Sequence, residues 1–193
     1  AKVVGPAGRV IAFEPHPETY AMLAANCQLL PDNNVLAVQA GLGADDGTLD
    51  LYTDSANPGG HSYYDWNLRS EAGHANPAQV YALDSFLSQQ GEIGAVSVIK
   101  IDVQGFEAKV LEGAVATIER DHPAVFCEIT PEALKKAGSS VDEVLAFFQD
   151  RGYAARILSD DGTPPKPAGY PALLDLFATS GAEYHDILFE VSA

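Results

Sequence analysis

The chain has 193 residues, of which 47% are hydrophobic and 20% are charged. Its length suits one domain, large enough to bury roughly 70% of its unfolded surface, and its composition excludes a disordered chain, a collagen-like repeat and a disulfide-stapled miniprotein. Twenty-seven acidic and eleven basic side chains give a net charge of −16. A surface of that sign repels phosphate backbones and anionic lipids, so nucleic-acid and membrane partners are disfavoured.

The sequence also indicates a cellular compartment. No window approaches the ~20 apolar residues needed to cross a bilayer, and no basic-then-apolar signal segment is found. Cys27 and Cys127 lie in apolar stretches and are expected to be buried free thiols, not a disulfide or a metal site. We therefore expect a soluble, cytoplasmic protein with one domain over residues 1–193.

The first forty residues have the pattern of a strand, a helix and a second strand. The apolar runs at 10–13 and 35–38 are typical of strands buried on both faces of a parallel sheet. The segment between them, residues 17–30, carries a helical stripe formed by Tyr20, Leu23, Ala24, Cys27 and Leu30. Such a βαβ unit predicts parallel pairing.

Residues 41–80 differ in character. Residues 48–52 alternate like a half-exposed antiparallel strand. Residues 57–76 form a loop rich in Gly, Asn, Ser and aromatic residues, including the only tryptophan, Trp66. A loop of this length inside a compact domain is usually functional or mobile, so we expect it to cover a site.

Alternating strands and helices return afterwards. Strands are predicted at 96–103, 124–129, 153–159 and 186–191, and the last two are expected to form an antiparallel pair. Helices are predicted over 107–118, over 131–138 after a cap at Thr130, over 140–152 from a capping box at Ser140, and around 173–177. The fold class is therefore α/β.

Three carboxylates are expected near the carboxyl ends of the strands, where ligands bind in an open parallel sheet. An acid at the position of Glu14 commonly accepts hydrogen bonds from both ribose hydroxyls of a nucleotide cofactor, but a Glu that begins a helix also stabilises the helix dipole. Asp102 lies at the end of a strand. Glu128 is expected to be a surface residue or a contact of the covering loop.

The residues around Asp102 form a second candidate group. Gly105 permits a tight exit from the strand, and Glu107 begins a helix. Lys100 lies between two isoleucines and is expected to extend its amine to solvent or to pair with a nearby acid. A simple strand-to-helix turn with a capping acid explains Glu107 well and Lys100 poorly.

His61, next to Ser62 in the predicted loop, is a candidate general base, because an imidazole titrates near ~6.5. Most lone loop histidines have no such role. The remaining histidines lack metal-ligand spacing, so no metal is expected. The sequence contains no nucleophile elbow, no P-loop and no Gly-x-Gly-x-x-Gly fingerprint.

Several blocks of the sequence resemble the FkbM-type methyltransferases. They are GRVIAFEPHP at 8–17, LDSFL at 83–87, IKIDVQGFE at 99–107, VLEGA at 110–114 and DILF at 186–189. Their order and spacing match across nearly the whole chain. The Lys-x-Asp-x-x-Gly-x-Glu block is quite specific, although the family often has Glu where Gln104 stands. The Phe-Glu-Pro block is shared more widely among class I methyltransferases.

The resemblance implies a Rossmann-like class I methyltransferase fold, a three-layer sandwich with a mostly parallel sheet and an antiparallel strand pair at one edge. It implies S-adenosylmethionine as the cofactor and methyl transfer to a hydroxyl of a sugar or secondary metabolite, a small-molecule or glycan acceptor. Catalytic roles would fall to Asp102 and His61. The cofactor would be held by Glu14, Pro15, Asp102 and Gly105. Lys100, Glu107, Glu128 and Ser62 would contact the substrate or support the residues that do.

The resemblance does not extend to the family's N-terminal motif. Family members begin with a strand and a Gly-rich turn that cradles the methionine moiety, whereas residues 1–8 resemble the end of the helix that follows that turn. We therefore expect either an N-terminally truncated domain whose first strand is missing from mid-sheet, between the strands at 10–13 and 96–103, or a chain that closes this gap by pairing those two strands or by swapping. In a truncated domain, the edges of both strands are left without a partner, and such edges invite pairing with a second copy of the chain.

Two other functions stay open. A non-catalytic remnant or interaction module would keep the sheet without the cofactor site, and the missing Gly-rich turn favours it. A nicotinamide-dependent enzyme would share the acid at Glu14, but it would lack its own Gly fingerprint and leave the 100–107 block unexplained.

Overall fold

The computed structural model describes residues 2–52, 61–63, 75–91, 93–159 and 161–191. The strands are β1 (Val10–Phe13), β2 (Val35–Val38), β3 (Gly41–Leu42), β4 (Gly47–Tyr52), β5 (Ala75–Tyr81), β6 (Val98–Ile101), β7 (Ala124–Ile129), β8 (Tyr153–Ile157), β9 (Lys166–Ala168) and β10 (His185–Val191). The helices are α1 (Pro17–Gln28), α2 (Leu83–Ser88), α3 (Glu107–Glu112), α4 (Val115–Asp121), α5 (Pro131–Lys136), α6 (Val141–Gln149) and α7 (Tyr170–Thr179). Within the described ranges, no helix is long and apolar enough to cross a membrane.

The predicted βαβ unit is confirmed. β1 and β2 pair in parallel, with Val10 opposite Val35 and Phe13 opposite Val38. α1 begins with Pro17 at its first position, where the missing amide hydrogen of proline has no cost. The predicted stripe forms the half-buried side of α1, and no residue of this helix is fully buried.

A larger sheet has the strand order β6-β7-β10-β8-β9. β6 and β7 are parallel, whereas β10 runs antiparallel to both β7 and β8, and β9 runs antiparallel to β8. The predicted antiparallel pairing of the last two strands is therefore confirmed. The prediction of a mostly parallel sheet is wrong for the described strands, because β10 inserts between β7 and β8 and β9 adds a further antiparallel strand that the sequence pattern did not indicate.

A third sheet has the order β3-β5-β4, with β4 and β5 antiparallel as expected for a strand over 48–52. β5 begins at Ala75, so the predicted loop over 57–76 ends too late. Apart from residues 61–63, the rest of that loop, including Trp66, lies outside the described residues.

The single helix predicted after β6 is instead two helices, α3 and α4, with Gly113 and Ala114 between them. The cause lies in α2, where the Asp84 carboxylate accepts the amide hydrogens of Ala116 and Thr117, each at 2.8 Å. These bonds satisfy amides that would otherwise continue the helical ladder, so a new helix begins there.

The two predicted helix caps differ in outcome. Ser140 caps α6 as predicted, since its side chain accepts the amide of Glu143 at 3.2 Å. The Glu143 carboxylate accepts instead from the Ser139 hydroxyl, so the capping box is only half formed. Thr130 stands at the N-cap position before α5, but its side chain forms no capping hydrogen bond.

The core lies under the larger sheet. Phe148 of α6 stacks on Phe189 of β10 with ring centroids 3.8 Å apart, and both rings are fully buried. Cys127 of β7 is a buried free thiol as expected, whereas the free thiol Cys27 is only half-buried because α1 covers a smaller ladder. Phe13 of β1 joins this core through an edge contact with Phe86 of α2, with centroids 4.9 Å apart.

β1 has one ladder partner among the described strands. The amides of Val10 and Glu14 donate to carbonyls of the β2 segment at 2.9 and 3.0 Å. Because backbone groups alternate in direction along a strand, Ile11 and Phe13 direct theirs to the opposite edge.

β6 likewise has a single ladder partner in the described part of the chain, β7. The Ser97 carbonyl accepts the Ala124 amide at 3.0 Å, so Val98 and Lys100 direct their backbone groups to the other edge. Val98 is also 68% exposed, which is unusual for an apolar strand residue. The two unpaired edges expected from the sequence are therefore present within the described residues.

Candidate functional site

Glu14 follows β1 directly, at the carboxyl end of the strand. One of its carboxylate oxygens accepts the amide of His16 at 2.8 Å, just before α1 begins at Pro17. Burial raises the pKa of Glu14, and the hydrogen bond to His16 opposes that rise. The side chain thus supports the start of α1, as one interpretation of the sequence held, and remains half-buried at the strand end.

Asp102 follows β6 and is held by two neighbours. The Lys100 amine donates to one Asp102 oxygen at 2.7 Å, and the Gln104 amide donates to the other at 3.2 Å. Lys100 therefore pairs with the nearby acid, one of the two outcomes expected, and its side chain is 60% exposed. An exposed pair of this kind adds little stability, so its consequence is the fixed orientation of the Asp102 carboxylate.

Glu128, at the end of β7, belongs to the same group. The Gln104 amide lies 3.3 Å from a Glu128 oxygen and so bridges the two carboxylates. Burial raises the pKa of Glu128, and the charges of Asp102 and Asp186 add to the rise. Glu128, expected as a surface residue or a contact of the covering loop, is linked to Asp102 through Gln104.

The turn after Asp102 depends on Glu107. Gln104 and Gly105 have φ values of 51° and 98°, in the left-handed region that favours glycine. Glu107 is 1% exposed, and one of its oxygens accepts the Gly105 amide at 3.0 Å. Its other oxygen is buried without a hydrogen bond from any described residue. Burial raises the pKa of Glu107 to about 7, and the charge of Asp102 contributes to the rise.

Residues 61–63 pack against the end of β1. The His61 ring lies over the His16 ring with centroids 4.1 Å apart. Ser62 is buried and pairs its backbone with Tyr52 of β4 in an antiparallel bridge. The part of the predicted loop that the structure describes therefore lies against the end of β1, with His61 on the residue that directly precedes α1.

Tyr63 and Phe106 connect the two strand ends. Their ring centroids are 5.0 Å apart, and Phe106 lies in the turn between Asp102 and Glu107. Burial, and then the charge of Glu14, raise the pKa of the Tyr63 hydroxyl, so this hydroxyl lies within electrostatic reach of the Glu14 carboxylate. The Tyr63–Phe106 contact thus connects the turn after Asp102 with a tyrosine whose hydroxyl is affected by the charge of Glu14.

Sequence reasoning missed Tyr63 as a site residue. It lies in the loop predicted to cover a site, but its neighbours have no periodic pattern that could single it out. A separate cavity of about 720 Å³ lies between α2 and α4, near Asp84 and Arg120, and none of the predicted site residues lines it.

The chain is thus an α/β protein whose polar groups gather at the carboxyl ends of parallel strands, the arrangement of enzymes that bind small molecules. It belongs to the methyltransferase FkbM domain family, whose model matches residues 1–155. It is also similar to Methyltransferase 1 of Beauveria bassiana (strain ARSEF 2860), with 27% identity over 176 residues that cover 83% of this chain and 68% of that protein.

Two solved structures resemble the chain over most of its length, at low sequence identity. The methyltransferase FkbM of Methylobacillus flagellatus KT is 14% identical with a TM-score of 0.49, and the match covers 95% of this chain and 36% of that one. The precorrin-6y C5,15-methyltransferase of Geobacter metallireducens GS-15 is 12% identical with a TM-score of 0.45, and the match covers 97% of this chain and 69% of that one. The chain therefore spans little more than a third of the Methylobacillus structure.

Glu107 is expected to make stability fall with rising pH. Because its folded pKa of about 7 lies above the ordinary value of 4.5, its contribution is fully present below pH 4.5 and is lost as pH rises through about 7. Each unit of pKa shift corresponds to about 1.4 kcal/mol. Urea unfolding of the Glu107→Gln variant should therefore give a flatter dependence of the unfolding free energy on pH than the parent chain.

Glu112→Gln supplies the control, because Glu112 is an exposed acid of the same helix and pairs with Lys109. The charged and titratable groups facing Glu107 are Asp102 and the Cys127 thiol. Both are retained in all three chains. Equal pH slopes for the Glu107→Gln and Glu112→Gln chains would contradict the assignment.

Proposed function

We propose that the chain is an S-adenosylmethionine-dependent methyltransferase that methylates a hydroxyl of a sugar or secondary metabolite, a small-molecule or glycan acceptor. The observation that supports it most is the Tyr63–Phe106 contact, which connects the segment packed at the end of β1 with the turn after Asp102. The chain that carries this contact belongs to the FkbM family. We further propose that the β1-β2 pair and the larger sheet, β6-β7-β10-β8-β9, belong to one Rossmann-like sheet of a three-layer sandwich.

The chemistry of Glu14 fits the nucleoside part of this cofactor. A half-buried carboxylate accepts hydrogen bonds from the two hydroxyls of a ribose, which would compensate for the water that burial has removed. Pro15 fixes the backbone next to it. On the other side, Asp102 and Glu128 give the strand ends a negative charge that favours a cationic group. When bound, S-adenosylmethionine supplies an electrophilic methyl group.

In this proposal the chain's own residues orient the acceptor and remove its proton. Asp102, fixed by Lys100 and Gln104, accepts a hydrogen bond from the acceptor hydroxyl. His61 takes the proton, because imidazole is the side chain that most often serves as a general base at neutral pH. Gly105 lets the backbone of the turn lie close to the ligand. Most of the rate enhancement comes from alignment of the acceptor oxygen with the methyl group.

The charge and the cysteines of the chain support proposals about its partners and its cellular compartment. The net charge of −16 disfavours nucleic acid and anionic membranes as partners. The two free cysteines favour a reducing compartment, and we propose the cytoplasm.

We also propose that the chain associates with a second copy through the unpaired edges of β1 and β6. Exposed strand edges pair readily with other chains, and a lysine on such an edge discourages pairing. Light scattering coupled to gel filtration should give a dimer mass for the parent chain and a smaller dimer fraction for Val98→Lys. A monomer at every concentration of the parent chain would contradict this proposal.

Glu14→Gln should weaken binding of S-adenosylhomocysteine roughly 10- to 100-fold, because hydrogen bonds to a charged group contribute about 1.5–3 kcal/mol. Calorimetric titration of the parent chain should give a Kd in the micromolar range, which corresponds to a binding free energy of about −8 kcal/mol. A dinucleotide such as NAD should give no heat of binding under the same conditions.

Two variants serve as controls. Glu18→Gln removes an exposed acid from the first turn of α1 and should leave the affinity unchanged. Asp102→Asn should keep most of the affinity and lose methyl transfer. A folded parent chain without detectable binding would indicate a non-catalytic module, and binding of NAD instead would indicate a nicotinamide-dependent enzyme.

A further inference from the structure

Residues 61–63 are fixed to several elements around the end of β1. His61 packs on His16, at the start of α1. The Ser62 amide donates to the Tyr52 carbonyl at 3.1 Å, and the Tyr52 amide donates back at 2.8 Å. Tyr63 contacts Phe106 in the β6–α3 turn. These contacts give the Tyr63 side chain a defined direction.

The Tyr63 hydroxyl occupies a space that only glycine leaves open. Gly41 begins β3 and is buried. A Cβ built on Gly41 would overlap the Tyr63 hydroxyl, and the ring carbons of Tyr63 would also be in close contact. Any larger residue at this position would therefore displace the tyrosine ring.

The same hydroxyl is buried and forms no hydrogen bond with any described residue. A buried polar group in this condition costs about 1–3 kcal/mol. The negative charge of Glu14 acts on this hydroxyl. A hydroxyl that is held in one direction, buried and without a hydrogen bond is placed to bond a group that the chain itself does not supply.

We infer that Tyr63 contacts the bound ligand: its hydroxyl donates a hydrogen bond to a ribose oxygen of the nucleoside held by Glu14, and Gly41 provides the space that this requires. The inference rests on the proposed cofactor and adds a residue to its site. Glu14, an acceptor, and Tyr63, a donor, then hold the same sugar from two different elements.

Tyr63→Phe tests the inference, because it removes the hydroxyl and keeps the ring on Phe106. Binding of S-adenosylhomocysteine, measured by calorimetry, should weaken roughly 3- to 10-fold, as expected for one neutral hydrogen bond. The melting temperature without ligand should not fall, because the hydroxyl has no bond to lose. Gly41→Ala should lower the affinity further by displacing the ring.

Tyr170→Phe is the matched control. The Tyr170 hydroxyl donates to the Tyr153 carbonyl at 2.7 Å, far along the chain from the site. Its removal should lower the melting temperature and leave the affinity unchanged, the opposite pattern to Tyr63→Phe.

The outcomes separate the two proposals. A parent chain that does not bind S-adenosylhomocysteine contradicts the proposed function. A parent chain that binds, a Glu14→Gln variant that binds weakly and a Tyr63→Phe variant that binds as tightly as the parent would together overturn the role of Tyr63 alone. A lower melting temperature with unchanged affinity would reduce Tyr63 to a structural residue.

Discussion

The candidate site depends on side-chain packing between two ladders that share no backbone pairing among the described residues. β1 ends at Glu14 in one ladder, and β6 ends next to Asp102 in the other. Aromatic contacts connect their surroundings: Phe13 of β1 packs on Phe86 of α2 within the core, and Tyr63 of the 61–63 segment packs on Phe106 after β6. Aromatic pairs contribute about 0.5–1.5 kcal/mol beyond the area they bury, so the alignment of the site is sensitive to each ring.

The turn between β6 and α3 fixes the polar side chains at the end of β6. The left-handed conformation of Gln104 would be costly without support, and the buried Glu107 carboxyl supplies that support through the Gly105 amide. Gln104 is thereby directed towards both Asp102 and Glu128. Glu107 therefore stabilises the turn that positions Gln104, whereas Asp102 is the group that contacts a ligand in our proposal.

Local patterns predicted much of this fold, because they report on each element separately. The apolar runs located β1, β2 and β7, and the cap at Ser140 located α6. The mixed order of the larger sheet was missed, since the insertion of β10 between β7 and β8 depends on pairing between residues far apart in the chain. Tyr63 was missed for the same reason: its role depends on Gly41 and Phe106, which no spacing in the sequence connects to it.

The most direct test of the account is a crystal structure of the chain in complex with S-adenosylhomocysteine. We predict that the ribose lies between the Glu14 carboxylate and the Tyr63 hydroxyl, with the sulfur on the side of Asp102. A nucleoside bound in the cavity near Asp84 and Arg120, away from Glu14, would contradict it.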